Sequence, residues 1–141
     1  LIRHPIERIP SMYIHLVADG HEPRPLRAAL LDDPDYVLTS SYAYQLEPYL
    51  ERFDPSHILV IDADRLRHDR IAALAEVFGF IGVERRIDPQ SVAAEHNRAA
   101  DRRPVDATIP ADVEQELRRR LAPDVSRLRS LVPGCSGWDF D

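Results

Sequence analysis

In most segments of this 141-residue chain the apolar residues recur three and four apart, and Ile58-Leu59-Val60-Ile61 stands out as a short continuous aliphatic run between turn signals. Spacing of three and four lines one face of a helix, whereas a four-residue aliphatic run fits a strand buried on both faces. The chain must therefore fold as helices around very little sheet. Leu1-Ile2-Arg3 reads as the end of another buried strand. Pro5 suits the first helical position, where its missing N–H has no partner to lose. Ile6, Ile9, Tyr13 and Leu16 then predict a helix over 5–17, ended by Asp19-Gly20, with a kink or irregular first turns at Pro10.

Residues 21–39 carry Pro23, Pro25 and Pro34 around the apolar patch Leu26 to Leu31, which predicts a loop with a helical turn. The pair Ser40-Ser41 opens a helix whose apolar face is Tyr42, Leu46, Tyr49, Leu50 and Phe53, closed by Asp54-Pro55. After the Ile58–Ile61 strand, Ile71, Leu74, Ala75 and Phe78 mark a further helix. Residues 84–108 lack periodicity and are locally basic. Thr108, Pro110 and Glu114 open a helix running to Leu121, and Pro123 opens a last one with Val125, Leu128 and Val132. Strands alternating with helices predict the α/β style with crossover connections.

Eighteen basic residues against 24 acidic ones leave a net charge of −6. A binder driven by general phosphate neutralisation is normally basic, so nucleic acid is not the expected partner, although a local anion site is compatible with this balance. All the basic residues are arginine, which excludes Schiff-base chemistry and a phosphate-loop lysine from this stretch. A single cysteine, Cys135, cannot pair within the chain, and no Cys/His spacing resembles a zinc site, so no metal is expected. The lone thiol and the lack of a targeting segment point to a reducing, cytoplasmic setting, and no apolar run reaches the ~20 residues of a membrane span. The missing initiator methionine and the truncated first strand lead us to expect the C-terminal part of a longer protein. Such a piece would leave apolar surface uncovered and could form a homo-oligomer.

The sharpest chemical constellation lies in the first fifteen residues. Arg3 follows a strand, at the carboxyl end where open α/β sheets place ligands. Arg8, Ser11 and His15 follow at helical spacing on the face opposite the apolar stripe. An arginine fork, a hydroxyl and a helix N-terminus together suit a phosphate dianion, while a plain solvated helix face would carry the same residues. His15 and His96 read as structural or exposed. Asp62 and Asp64 read as helix caps before Leu66, Tyr42 as core, and Arg118-Arg119-Arg120 as a solvated edge balanced by Glu114 and Glu116. Trp138 and Phe140 are expected to pack the tail onto the body.

The stretch Arg3-His4-Pro5-Ile6-Glu7-Arg8-Ile9-Pro10-Ser11-Met12-Tyr13 resembles the 3′-phosphate-binding motif, R-x-P-x-x-R-x-x-S-x-Y, of sulfotransferases that use 3′-phosphoadenosine-5′-phosphosulfate (PAPS). Downstream, the tyrosine-led helix from Ser41 to Leu50, the strand and acidic-Leu turn from Ile58 to Leu66, and Phe78-Gly79-Phe80-Ile81-Gly82-Val83 are similar to later family segments. Asn97-Arg98 through Arg102-Arg103-Pro104 sits where many members place a basic loop over the nucleotide. The family's lysine-containing phosphosulfate loop and its usual catalytic base belong to an upstream part that this chain lacks.

What the resemblance implies is a P-loop NTPase-like three-layer α/β/α fold, of which residues 1–141 are a helix-rich C-terminal part with few strands. It also implies sulfuryl transfer from PAPS to a hydroxyl or amine of a small-molecule, glycan or lipid acceptor. Arg3 and Ser11 would hold the 3′-phosphate, with Arg8, Arg102 and Arg103 as further cofactor-binding candidates and the catalytic residue unassigned. The residues by themselves leave two alternatives open: part of a nucleotide kinase-like transferase, and a non-enzymatic helical interaction module.

Overall fold

The computed structural model describes residues 1–84, 87, 88, 92, 105–132, 138 and 140. They form the helices α1 (Pro5–Ala18), α2 (Leu26–Asp32), α3 (Pro34–Leu38), α4 (Tyr42–Leu50), α5 (Ala63–His68), α6 (Arg70–Phe80) and α7 (Ala111–Leu131), with a 3-10 turn at Pro55–His57. The chain divides into two compact units, one of Leu1–Arg3 with Phe53–Arg102, the other of His4–Arg52 with Arg103–Asp141.

In the second unit the organising element is α7. Val113, Leu117, Leu121, Val125 and Leu128 repeat at steps of four and three, and all are fully buried. Where the sequence predicts two helices meeting at Pro123, the structure has one. An interior proline forfeits one backbone hydrogen bond and crowds the preceding turn. Here the apolar stripe continues in register on both sides of it, and burying those side chains outweighs the local cost. Ile6, Ile9 and Tyr13 of α1, Ala29 and Leu30 of α2 and Tyr36 of α3 complete the core against this stripe. Helix α1 likewise runs unbroken through Pro10. It ends as Asp19-Gly20 predicts: Gly20 adopts φ 74°, and the N–H groups of Gly20 and His21 bond Val17 O at 3.1 Å and Leu16 O at 2.8 Å.

The region expected as a loop with a helical turn folds into two helices, α2 and α3, and is tied by a charged knot. Glu22, buried, accepts from Arg24 Nε at 2.8 Å, from Arg24 Nη2 at 2.7 Å and from the Tyr36 hydroxyl at 3.0 Å. Arg24 also reaches Asp33 at 2.6 Å, and Tyr13 donates to the Arg24 carbonyl at 3.0 Å. The Arg24 guanidinium holds the Glu22 carboxyl down at about 2 and lowers that of Asp33 as well. Burial and the neighbouring carboxylate push the Tyr36 hydroxyl up.

Helix α4 is capped from a distance. Ser41 occupies its N-cap position, yet the Ser41 hydroxyl donates to Val37 O at 2.9 Å instead of accepting from α4. Asp124 of α7 supplies the acceptors: its carboxylate takes the N–H groups of Ala43 at 3.0 Å and Tyr44 at 2.8 Å. The expected apolar face of α4 is only partly used. Ala43 is its one buried residue, while Tyr49 and Phe53 are exposed.

In the first unit the expected strand at Ile58–Ile61 is corrected to a single parallel bridge between Ile2 and Asp62, with no strand among the described residues. The Ile2 N–H bonds Ile61 O at 2.9 Å and the Ala63 N–H bonds Ile2 O at 2.7 Å. An aliphatic composition favours a strand, but a ladder also needs a neighbouring strand to pair with. The pairing is parallel, as an α/β arrangement requires, but the α/β reading is supported only that far. Asp62 caps α5 by accepting from the Asp64 N–H at 2.7 Å, as expected. Helix α6 buries Ala73 and leaves Ile71 exposed, so its predicted face is also only partly covered.

Two stability predictions follow from these contacts. Asp124→Ala removes both acceptors from the α4 N-terminus and is expected to lower the unfolding free energy by about 1–2 kcal/mol in urea denaturation. The Glu22 carboxyl titrates lower in the folded chain than its ordinary 4.5. Its contribution is therefore fully present above pH 4.5 and is lost as the pH falls from 4.5 towards 2. Across that window Glu22→Gln is expected to show a flatter loss of stability than the unaltered chain; equal acid slopes would remove the knot from this role.

Candidate functional site

The polar face of α1 forms as its spacing predicts. With Ile6, Ile9 and Tyr13 turned into the core, Ser11 and His15 are exposed and Arg8 is half-buried. His15 faces Asp19 at 3.4 Å, one turn further along the helix, which fits a surface pair rather than a proton carrier. Arg3 is half-buried in the first unit, directly after the Ile2 bridge, and Ser11 belongs to the second unit.

Arg8 has contacts that the sequence did not announce. Its Nη1 donates to Thr39 Oγ1 at 3.0 Å and Ser40 Oγ at 3.3 Å, and lies 3.6 Å from the Met12 sulfur. The two hydroxyls are themselves oriented, since Ser40 donates to Tyr36 O at 2.9 Å and Thr39 to Asp35 O at 2.5 Å. These acceptors are neutral, so the guanidinium keeps its charge uncompensated by them while its position is fixed between α1 and the end of α3. The only sequence signal was Thr39-Ser40-Ser41, three hydroxyl residues in a row.

Other candidates resolve towards structure. Tyr42 packs against Trp138, with ring centroids 6.0 Å apart. Arg118 pairs with Glu114 at 2.9 Å, and Arg119 and Arg120 both pair with Glu116 at 2.7 Å, which is the balanced edge expected of α7. Arg119 and Arg120 together hold the Glu116 carboxyl down at about 2. Arg102, Arg103, Asn97, Arg98, His96 and Cys135 lie outside the described residues. Among the described residues, no group of three or more His, Cys, Asp or Glu is placed to hold a metal ion, and no helix is long and apolar enough to cross a membrane.

Within the second unit, α1 offers a hydroxyl, Ser11, on an exposed helix face and a fixed guanidinium, Arg8, one turn before it. Such groups can bind an anion by charge-assisted hydrogen bonds. No protein-family model and no curated protein matches the chain. Among solved structures, the crystal structure of a sulfotransferase from Alicyclobacillus acidocaldarius matches at 25% sequence identity and a TM-score of 0.72, covering 94% of this chain and 52% of that one. The chain thus spans about half the length of that protein and shares its fold over that half.

Proposed function

We propose that this chain is the nucleotide-binding part of a PAPS-dependent sulfotransferase. The observation that carries the reading is the fold shared with a sulfotransferase over 94% of the chain. The spacing of Arg3, Pro5, Arg8 and Ser11 supports it independently, because a 3′-phosphate dianion calls for a guanidinium fork and hydroxyl donors. Both lines favour a sulfotransferase over a nucleotide kinase-like transferase or an interaction module.

In this reading Arg3 and Ser11 hold the 3′-phosphate, and Arg8, Arg102 and Arg103 add positive charge for the same anion or for an anionic acceptor. PAPS supplies the sulfuryl group that passes to a hydroxyl or amine of a small-molecule, glycan or lipid acceptor. The contribution of these residues is to bind and orient the nucleotide. Fixing the donor in this way uses binding energy to offset part of the entropy cost of bringing the reactants together. The proton-accepting base and the groups that stabilise the leaving oxygen are assigned to the part of the fold outside this chain.

Calorimetric titration of 3′-phosphoadenosine-5′-phosphate, the desulfated product, tests the assignment. Arg3→Ala is expected to weaken binding by about ten- to a hundredfold, as loss of a charge-assisted contact does, and Ser11→Ala by about three- to tenfold. Neither change should alter the affinity for 5′-AMP. A folded protein that binds no 3′-phosphorylated nucleotide would overturn the reading.

A further inference from the structure

Trp138 gathers the ends of three helices in the second unit. Its indole lies 5.9 Å from the His4 imidazole at 63°, edge to face, and 6.0 Å from the Tyr42 ring. His4 is the N-cap residue of α1, Tyr42 is the first residue of α4, and Arg129 in the last turn of α7 donates a guanidinium N–H to the Trp138 carbonyl. Phe140 stacks on His4, with centroids 5.2 Å apart and planes 26° apart, and the Arg118 guanidinium sits 5.5 Å from the Phe140 centroid. Trp138 is only 7% exposed.

His4 is therefore held by aromatic packing. Its Nδ1 is buried and has no hydrogen-bond partner, so no polar contact at that atom sets the ring orientation. Its main chain, by contrast, is committed to the helix: the His4 carbonyl accepts the N–H groups of Glu7 and Arg8, both at 3.0 Å, which opens α1. Wherever the imidazole is placed, the first turn of α1 follows. Ser11 rides on that helix.

We infer that Trp138, seconded by Phe140, is a positioning residue for the 3′-phosphate contacts. It acts through His4, fixing the start of α1 and with it Ser11, the residue of this unit assigned to the phosphate. This inference rests on the nucleotide reading above. A tail that merely covered apolar surface would bear on folding alone. A tail that sets the His4 corner bears on recognition of one phosphate.

The test titrates 3′-phosphoadenosine-5′-phosphate and 5′-AMP into the protein and into Trp138→Ala, Trp138→Phe, His4→Ala and the double alanine variant. Trp138→Ala is expected to weaken the 3′-phosphorylated nucleotide by about three- to tenfold, the scale of a lost Ser11 contact, while 5′-AMP stays within about twofold. Trp138→Phe should restore most of the loss, and the double variant should bind no more weakly than the weaker single one, because the two residues act in series. The inference is overturned if folded Trp138→Ala binds both nucleotides as the parent does, or loses both equally, or if His4→Ala has no effect. Should Trp138→Ala fail to fold, Phe140→Ala, whose half-buried ring stacks on the same imidazole, is read by the same criteria. Failure of the folded parent to bind the 3′-phosphorylated nucleotide strikes the functional reading itself and appears before any variant is measured.

Discussion

The buried stripe of α7 is the constraint on which the second unit depends. Val113, Leu117 and Leu121 meet the side chains that α1, α2 and α3 turn inward, and Val125 and Leu128 extend the same face by two further turns. Each fully buried aliphatic side chain contributes on the order of 1.5–3 kcal/mol, so five in register dominate any single local preference along the helix. The stripe also fixes where polar groups fall. Asp124 lies beside Val125 in sequence, and its carboxylate meets the open N-terminus of α4 because the helix presents that face there. One long helix thus supplies both the apolar wall and a cap for a neighbouring element.

What the sequence made legible was whatever depends on short range. The α1 stripe, its proline start and glycine end, the Asp62 cap and the balanced arginine edge of α7 all follow from residues within four or five positions of each other. The misjudged features depend on distant partners. Pro123 signals a break by local rules, but the continuity of the stripe on either side is a tertiary fact. Ile58–Ile61 carries the composition of a strand, yet the bridge forms one residue beyond it, between Ile2 and Asp62, because pairing needs a neighbour that composition does not reveal. In α4 and α6 the apolar residues were visible, but which of them meet a partner was not.

The same distinction governs the candidate site. Arg3, Arg8 and Ser11 could be picked out because their spacing carries a chemical meaning. That Arg8 bonds two hydroxyls over thirty residues away could not, since serine and threonine are common in turns and give no sign of an arginine partner. The Glu22-Arg24 knot was equally hidden, although prolines on either side of Arg24 stiffen the backbone there and make its closure less costly in entropy.

Charge in this acidic chain is distributed in pairs. Many of its arginines are matched with carboxylates: Arg24 with Glu22 and Asp33, Arg27 with Asp112, Arg65 with Glu76, Arg67 with Asp64, Arg127 with Glu47, and the α7 series with Glu114 and Glu116. Most are exposed and contribute little to stability individually, but each pair cancels charge locally and shortens the reach of its field. The net charge of −6 describes the chain as a whole and does not decide the surroundings of Arg8 on α1. There the oriented hydroxyls of Thr39 and Ser40 steady the Arg8 cation without neutralising it. A neutral acceptor leaves the positive field available to a ligand, whereas a carboxylate in the same place would have to be displaced first. The proposed recognition of a phosphate thus rests on how charge is distributed among the arginines and only secondarily on how much the chain carries.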